Sequence, residues 1–206
     1  GGKIEDGPHA PMIHTLGGSL GVDAYLLLND DGKRFVNEDI GGQQLSCAIY
    51  RQRGDYAWQI FDDNWPEQLP LMGVSHGSVN HCVSAAENPK LPPDCQWAIG
   101  RMSYTSREDL DRTPGLIKAN TLAELAAALA PDRPDVQRTI LVEIARYNEL
   151  AHAHNDADFG KAAKRLFPLE KAPFYAGKML GGALLVNMGG LTVNPEDGNV
   201  LDRKYH

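Results

Sequence analysis

Near the start of the chain, Asn29-Asp30-Asp31-Gly32 lies between two strand-prone runs, Val22 to Leu28 and Arg34 to Val36. Asp-Gly between such runs is a strong hairpin signal, because glycine supplies the positive φ that a tight turn requires. The fold must therefore build a sheet from this point. Gly32-Lys33-Arg34-Phe35-Val36-Asn37-Glu38 then passes the chain to a helix expected from Gln43 to Gln52. Arg34 and Glu38 are expected to form an internal polar pair that holds the hairpin to that next helix, rather than a catalytic pair.

The first 21 residues are rich in Gly and Pro. Pro8 and Pro11 push their neighbours toward extended backbone, and Gly17, Gly18 and Gly21 permit close approach. His9 and His14, with Met12 and Ile13, are read as a candidate site wall, and equally as a packed connector. After the first helix, Tyr56 to Phe61 reads as a strand, and Asp62 or Asp63 as the cap of a short helical turn through Trp65 to Gln68. The prolines and glycines from Leu69 to Thr113 predict irregular chain with a short helix at Arg107 to Asp111.

The second half carries clearer periodicity. Leu116 to Ala119 predicts a strand, and Thr121-Leu122-Ala123-Glu124 has the spacing of a capping box opening a helix from Leu122 to Leu129. A longer helix is expected from Pro134, with Asp132 as its cap, to about Ala153. Val136, Ile140, Val142, Ile144, Tyr147 and Leu150 would be its apolar face. The two helices make an αα-hairpin whose stripe is core. Beyond a turn at Asn155-Asp156, Phe174 to Leu180 predicts a strand, and Ala183 to Asn187, Leu191 to Val193 and Asn199 to Leu201 predict shorter ones.

Composition excludes several function classes. A net charge of -7 argues against a nucleic-acid partner, which needs a concentrated basic face. Lys161 to Arg165 is read as the solvated end of a turn. No apolar run approaches the ~20 residues of a membrane span, and no targeting signal is visible, which leaves the compartment open between the cytoplasm and the bacterial cell envelope. An opening on Gly1 instead of Met is the mark expected of an excised domain or a processed product. Cys47, Cys82 and Cys95 have no paired C-x-x-C spacing, and His76, His81 and Cys82 lack a fourth ligand, so neither a disulfide framework nor a metal site is expected.

Five segments in order carry a resemblance covering most of the chain. Gly32 to Glu38 is similar to the G-[KR]-R-F-x-N-E stretch of the fumarate reductase/succinate dehydrogenase-like flavoproteins, a group that also holds urocanate reductases and 3-ketosteroid Δ1-dehydrogenases. Thr121-Leu122-Ala123-Glu124-Leu125, Arg146-Tyr147-Asn148-Glu149-Leu150 and Asp156-Ala157-Asp158-Phe159-Gly160 match in the same order. So does Pro173-Phe174-Tyr175-Ala176, leading to Met188-Gly189-Gly190-Leu191.

The resemblance implies an α+β fold: a capping (substrate) domain with a hairpin-led small sheet and an αα-hairpin. Short pieces of an otherwise missing Rossmann-type FAD domain would flank it. Residues 1–21 would be the connector on the FAD side, 22–172 the cap, and 173–206 the strands returning toward the FAD domain. The G-x-G-x-x-G fingerprint of a dinucleotide site is absent, so FAD is expected in the full-length protein and not in this fragment, which alone is expected to be inactive. The implied partners are the FAD domain of the same chain, a small-molecule substrate and a redox donor protein.

The departures from the family pattern bear on the substrate. Where fumarate-reducing members carry a proton-donating arginine after the Asn-Glu pair, this chain has Asp39-Ile40-Gly41-Gly42-Gln43-Gln44. Where they carry a carboxylate-binding histidine before Met-Gly-Gly, it has Leu185-Val186-Asn187. Neither a cation nor a carboxylate clamp is replaceable by Gly and Val. The implied activity is reduction, or introduction, of an activated C=C bond in a less polar substrate than fumarate. Met12, Ile13, Leu184, Leu185, Val186 and Met188 would form the apolar wall. His9, Met12, Val186 and Asn187 would contact substrate, Met188, Gly189 and Gly190 would lie near the flavin, and His14 or Tyr175 would supply the proton. Tyr175 and His14 stand equally as packing residues. A ketosteroid dehydrogenase-like oxidation and a flavin-free small-molecule binding module are the alternatives.

Overall fold

The computed structural model describes residues 24–40, 42–68, 110–111, 115–180, 193–194, 196–197 and 199–200. Four strands form one antiparallel sheet: β1 (Leu26–Leu28), β2 (Tyr56–Asp62), β3 (Ile117–Ala119) and β4 (Phe174–Leu180), in spatial order β1-β2-β4-β3. Helices α1 (Gly42–Tyr50), α2 (Trp65–Gln68), α3 (Leu122–Leu129) and α4 (Pro134–His152) complete the described elements, with a 3-10 turn at Ala163–Arg165. The mixture of helices and a small antiparallel sheet is α+β, as the sequence predicts.

The sheet is buried on both faces because its strands alternate two apolar sets. Leu26, Leu28, Ile60, Phe174 and Ala176 pack against α3 and α4 through Leu125, Ile140, Ile144 and Tyr147. Tyr25, Leu27, Ala57, Phe61, Tyr175 and Met179 pack on the other side with Leu45 and Ile49 of α1. Phe61 and Tyr175, directly opposed in the β2–β4 register, stack at 5.0 Å between ring centroids.

The hairpin is shorter than expected. Its turn closes through Gly32 N–H to the Asn29 carbonyl at 2.9 Å, yet only one bridge follows, Leu28 to Arg34. The outward amide of Leu27, which a returning strand would have used, donates to Glu38 Oε1 at 3.2 Å. A side chain thus takes the place of the strand predicted from Arg34 to Val36. Gly32 itself has φ +75, and a Cβ there would lie 2.7 Å from Ile140 Cγ1 and 3.1 Å from the Val136 carbonyl oxygen. Gly32→Ala is therefore expected to cost about 2–4 kcal/mol, the sum of left-handed strain and overpacking against α4. Thermal or urea unfolding of the full-length protein would read it.

The αα-hairpin forms as predicted. Thr121 Oγ1 accepts from Glu124 N–H at 3.1 Å, and Glu124 Oε2 accepts from Asn120 N–H at 2.9 Å, one residue before the usual reciprocal donor. Two expectations for α4 need correction. Its N-cap is Arg133 with Pro134 following; Asp132 instead takes φ +60 in the turn. Val142 is 67% exposed, because it lies two residues, or about 200°, from Ile140 around the helix. Asp62 does not cap α2 itself: it accepts from Asn64 N–H at 3.0 Å, just ahead of the helix, and the Asn64 carbonyl accepts from Glu67 and Gln68 N–H. The second Asp62 oxygen also accepts from the amides of Glu170 and Lys171, each at 2.9 Å.

Candidate functional site

Three segments converge at one end of α4: the loop 29–40, the buried side of α4 at Tyr147, and the loop that follows α4. Arg34 is their centre. Its Nε and Nη2 donate to Glu38 Oε1 and Oε2 at 2.9 and 2.8 Å, and its Nη1 and Nη2 donate to Asp156 Oδ1 and Oδ2 at 2.9 and 2.7 Å. The planar fork suits two bidentate carboxylates, which a lysine could not engage in this way. Rings of Tyr147 and Phe159 have centroids 5.1 and 4.9 Å from the guanidinium carbon.

Lys161 completes the cluster. Its Nζ donates to the Tyr147 hydroxyl at 2.9 Å and lies 3.3 Å from Glu38 Oε2. Two cations therefore meet two anions with all four side chains essentially dry, the condition under which buried charge is tolerated. Asp156 also folds its own loop, accepting from the amides of Asp158, Phe159 and Lys161, while Gly160 takes φ +73. A second buried pair, Arg165 with Asp39 at 2.7 Å, ties the same loops together further along.

Burial presses the Asp156 carboxyl upward, but the Arg34 guanidinium and the Lys161 amide more than reverse this and hold it at about 2, against 3.8 ordinarily. Burial likewise presses Lys161 down, and the Glu38 charge lifts it above the usual lysine value. Tyr147 is raised, first by burial. Because the folded-state pKa of Asp156 is depressed, its contribution is whole above pH 3.8 and is lost as pH falls toward about 2. It amounts to about 2 kcal/mol. Acid titration of stability should show that loss in the wild type, and Asp156→Asn should remove it, its curve being flatter below pH 3.8.

The expected Arg34–Glu38 pair is present and internal, but it holds the hairpin to α4 and the following loop, not to α1. The expectation of a solvated Lys161 to Arg165 is overturned, since Lys161 and Arg165 are 3% and 4% exposed. Their cationic heads are drawn inward by Glu38 and Asp39. Asp156, Lys161 and Tyr147 were missed as partners because more than a hundred residues separate the two loops, and no local spacing marks such a contact. Among the candidate catalytic and binding residues, Tyr175 lies in the described structure, 2% exposed in β4. His9, Met12, His14, Val186, Asn187, Met188, Gly189 and Gly190 lie outside the described residues. No group of three or more His, Cys, Asp or Glu that could hold a metal occurs among the described residues.

A family model described as an FAD binding domain matches residues 9–205. The chain belongs to that family. The chain is 26% identical over 208 residues to a vinyl phenol reductase of Lactiplantibacillus plantarum, covering 98% of this chain and 38% of that protein. It is 25% identical over 182 residues to a probable fumarate reductase, Ifc3, of Shewanella frigidimarina, covering 88% of this chain and 24% of that one. It thus spans between about a quarter and two fifths of the length of these relatives. In fold it is similar to the open conformation of a flavocytochrome c3 fumarate reductase, with a TM-score of 0.56 and 21% identity over 91% of this chain and 26% of that one. A likeness to 3-ketosteroid Δ1-dehydrogenase from Sterolibacterium denitrificans follows, with a TM-score of 0.50 and 19% identity over 92% of this chain and 32% of that one. The family membership makes FAD-dependent oxidoreductases of the fumarate reductase-like kind this chain's relatives.

Proposed function

We propose that the chain is the capping portion of an FAD-dependent oxidoreductase that reduces, or introduces, a C=C bond next to an electron-withdrawing group, in a substrate other than fumarate. The family match over 9–205 supports this most directly. Its relatives agree in kind. One is a vinyl phenol reductase, another a 4-oxocyclohex-2-ene-1-carboxylate 5-dehydrogenase of Sinomonas cyclohexanicum, 24% identical over 202 residues. The bound flavin would supply or accept hydride at one carbon. The chain's own task is to seat the substrate, exclude water and handle the proton at the neighbouring carbon.

In this reading residues 22–172 are the cap, and 1–21 and 173–206 join it to the FAD domain. Met188, Gly189 and Gly190 lie beside the flavin, and His9, Met12, Val186 and Asn187 line the substrate. Leu185-Val186-Asn187, standing where fumarate-reducing enzymes carry a carboxylate-binding histidine, favours a substrate without a second carboxylate. His14 is the preferred proton donor and Tyr175 the alternative, since the Tyr175 ring is already committed to the stack on Phe61.

Visible spectroscopy tests the reading. The full-length protein is expected to show a flavin spectrum that bleaches on reduction and recovers on addition of an enone or a vinyl phenol, but not fumarate. A full-length protein without flavin, even after added FAD, would instead support a binding module. Recovery with fumarate alone would overturn the substrate class.

A further inference from the structure

The loop after α4 is attached in an unusual way. From residue 152 to 164, the buried positions are Asp156 and Lys161 alone, and both are charged. Each grips the opposite member of one ion pair: Asp156 holds Arg34, and Lys161 holds Glu38. Apolar anchoring resumes only at Leu166 and Leu169, and on the other side ends with Ala151 of α4. Phe159, 38% exposed, lies over the Arg34 guanidinium as the loop's cover. An outer tie, Arg146 to Asp158 at 2.9 Å, is solvent-exposed and adds little.

We propose that residues 153–163 form a charge-latched flap that opens as a unit, passing the Arg34–Glu38 pair from a dry interior to solvent. The chemistry of the latch favours this. Apolar side chains lose their stabilisation outright when exposed, whereas separated ions recover hydration, so opening an ionic latch is the less costly route to local unfolding. Asp156 accepts from three amides of its own loop, and opening carries these bonds into solvent together, where their amides can exchange. In the open state the guanidinium presents free donors, and water reaches the Glu38 carboxylate.

Hydrogen exchange of the full-length holoenzyme, read by mass spectrometry, tests the proposal. The amides of Asp158, Phe159 and Lys161 are expected to exchange at one shared rate, at least about ten-fold faster than the amides from Ile140 to Tyr147 in α4. Asp156→Asn should raise that shared rate further and leave α4 unchanged. Should Asp156→Asn fail to fold, Arg146→Gln removes the outer tie, together with the exposed Arg146–Glu149 pair on α4, and should raise the shared rate by a few-fold. Three separate rates would mean independent fraying, and a rate equal to that of α4 would mean global unfolding. Either result would overturn the flap.

Discussion

Replacing Arg34 by methionine in the full-length protein is expected to cost about 3–5 kcal/mol, the usual penalty for removing one partner of a buried ion pair. The loss is large because two carboxylates, Glu38 and Asp156, share that one guanidinium. Without it, Lys161 is the remaining cation within the cluster, at 3.3 Å from Glu38, and Asp156 keeps only backbone amides. Packing adds to the loss, since the rings of Tyr147 and Phe159 both lie against the guanidinium. Arg34→Lys should recover part of the stability by restoring charge without the fork. Urea unfolding followed by circular dichroism measures both. A loss below about 1 kcal/mol for Arg34→Met would show that the network is not energetically central.

The second prediction concerns proton delivery. With a substrate that reoxidises the reduced flavin, His14→Ala is expected to lower kcat by about 10²–10⁴-fold, the range of general acid catalysis. Tyr175→Phe keeps the ring that stacks on Phe61 and is expected to leave kcat within a few-fold of wild type. The pH profile adds a second readout, because loss of the donor should remove the corresponding limb. Reversed outcomes would assign the proton to Tyr175, and two small effects would remove both residues from the reaction.

Much of the fold is legible in the sequence where local rules govern. Thr121 and Glu124 mark the start of α3, Pro134 that of α4, and the run from Phe174 to Leu180 coincides with β4. Sequence reasoning fails where a distant partner decides. Arg34 looks like part of a returning strand until Glu38 takes the Leu27 amide. Lys161 looks like a solvated lysine until Glu38 and Tyr147 are brought to it. The candidate site is legible chiefly through motif resemblance, because the charged cluster depends on contacts between loops that lie far apart in the chain.

The strand order carries a consequence for biosynthesis. β4 lies between β2 and β3, yet it is the last of the four to leave the ribosome. At ordinary elongation rates β2 waits roughly 6 to 24 seconds for its long partner, with its inner edge unpaired. The nascent chain must keep that edge out of intermolecular pairing throughout the interval. Early β1–β2 pairing and the locally capped α3–α4 hairpin can form meanwhile, and the late arrival of Phe174 to Leu180 then completes the sheet between β2 and β3. A ribosome stalled before residue 174 would hold β1–β2 and the α3–α4 hairpin without the strand that joins β2 to β3.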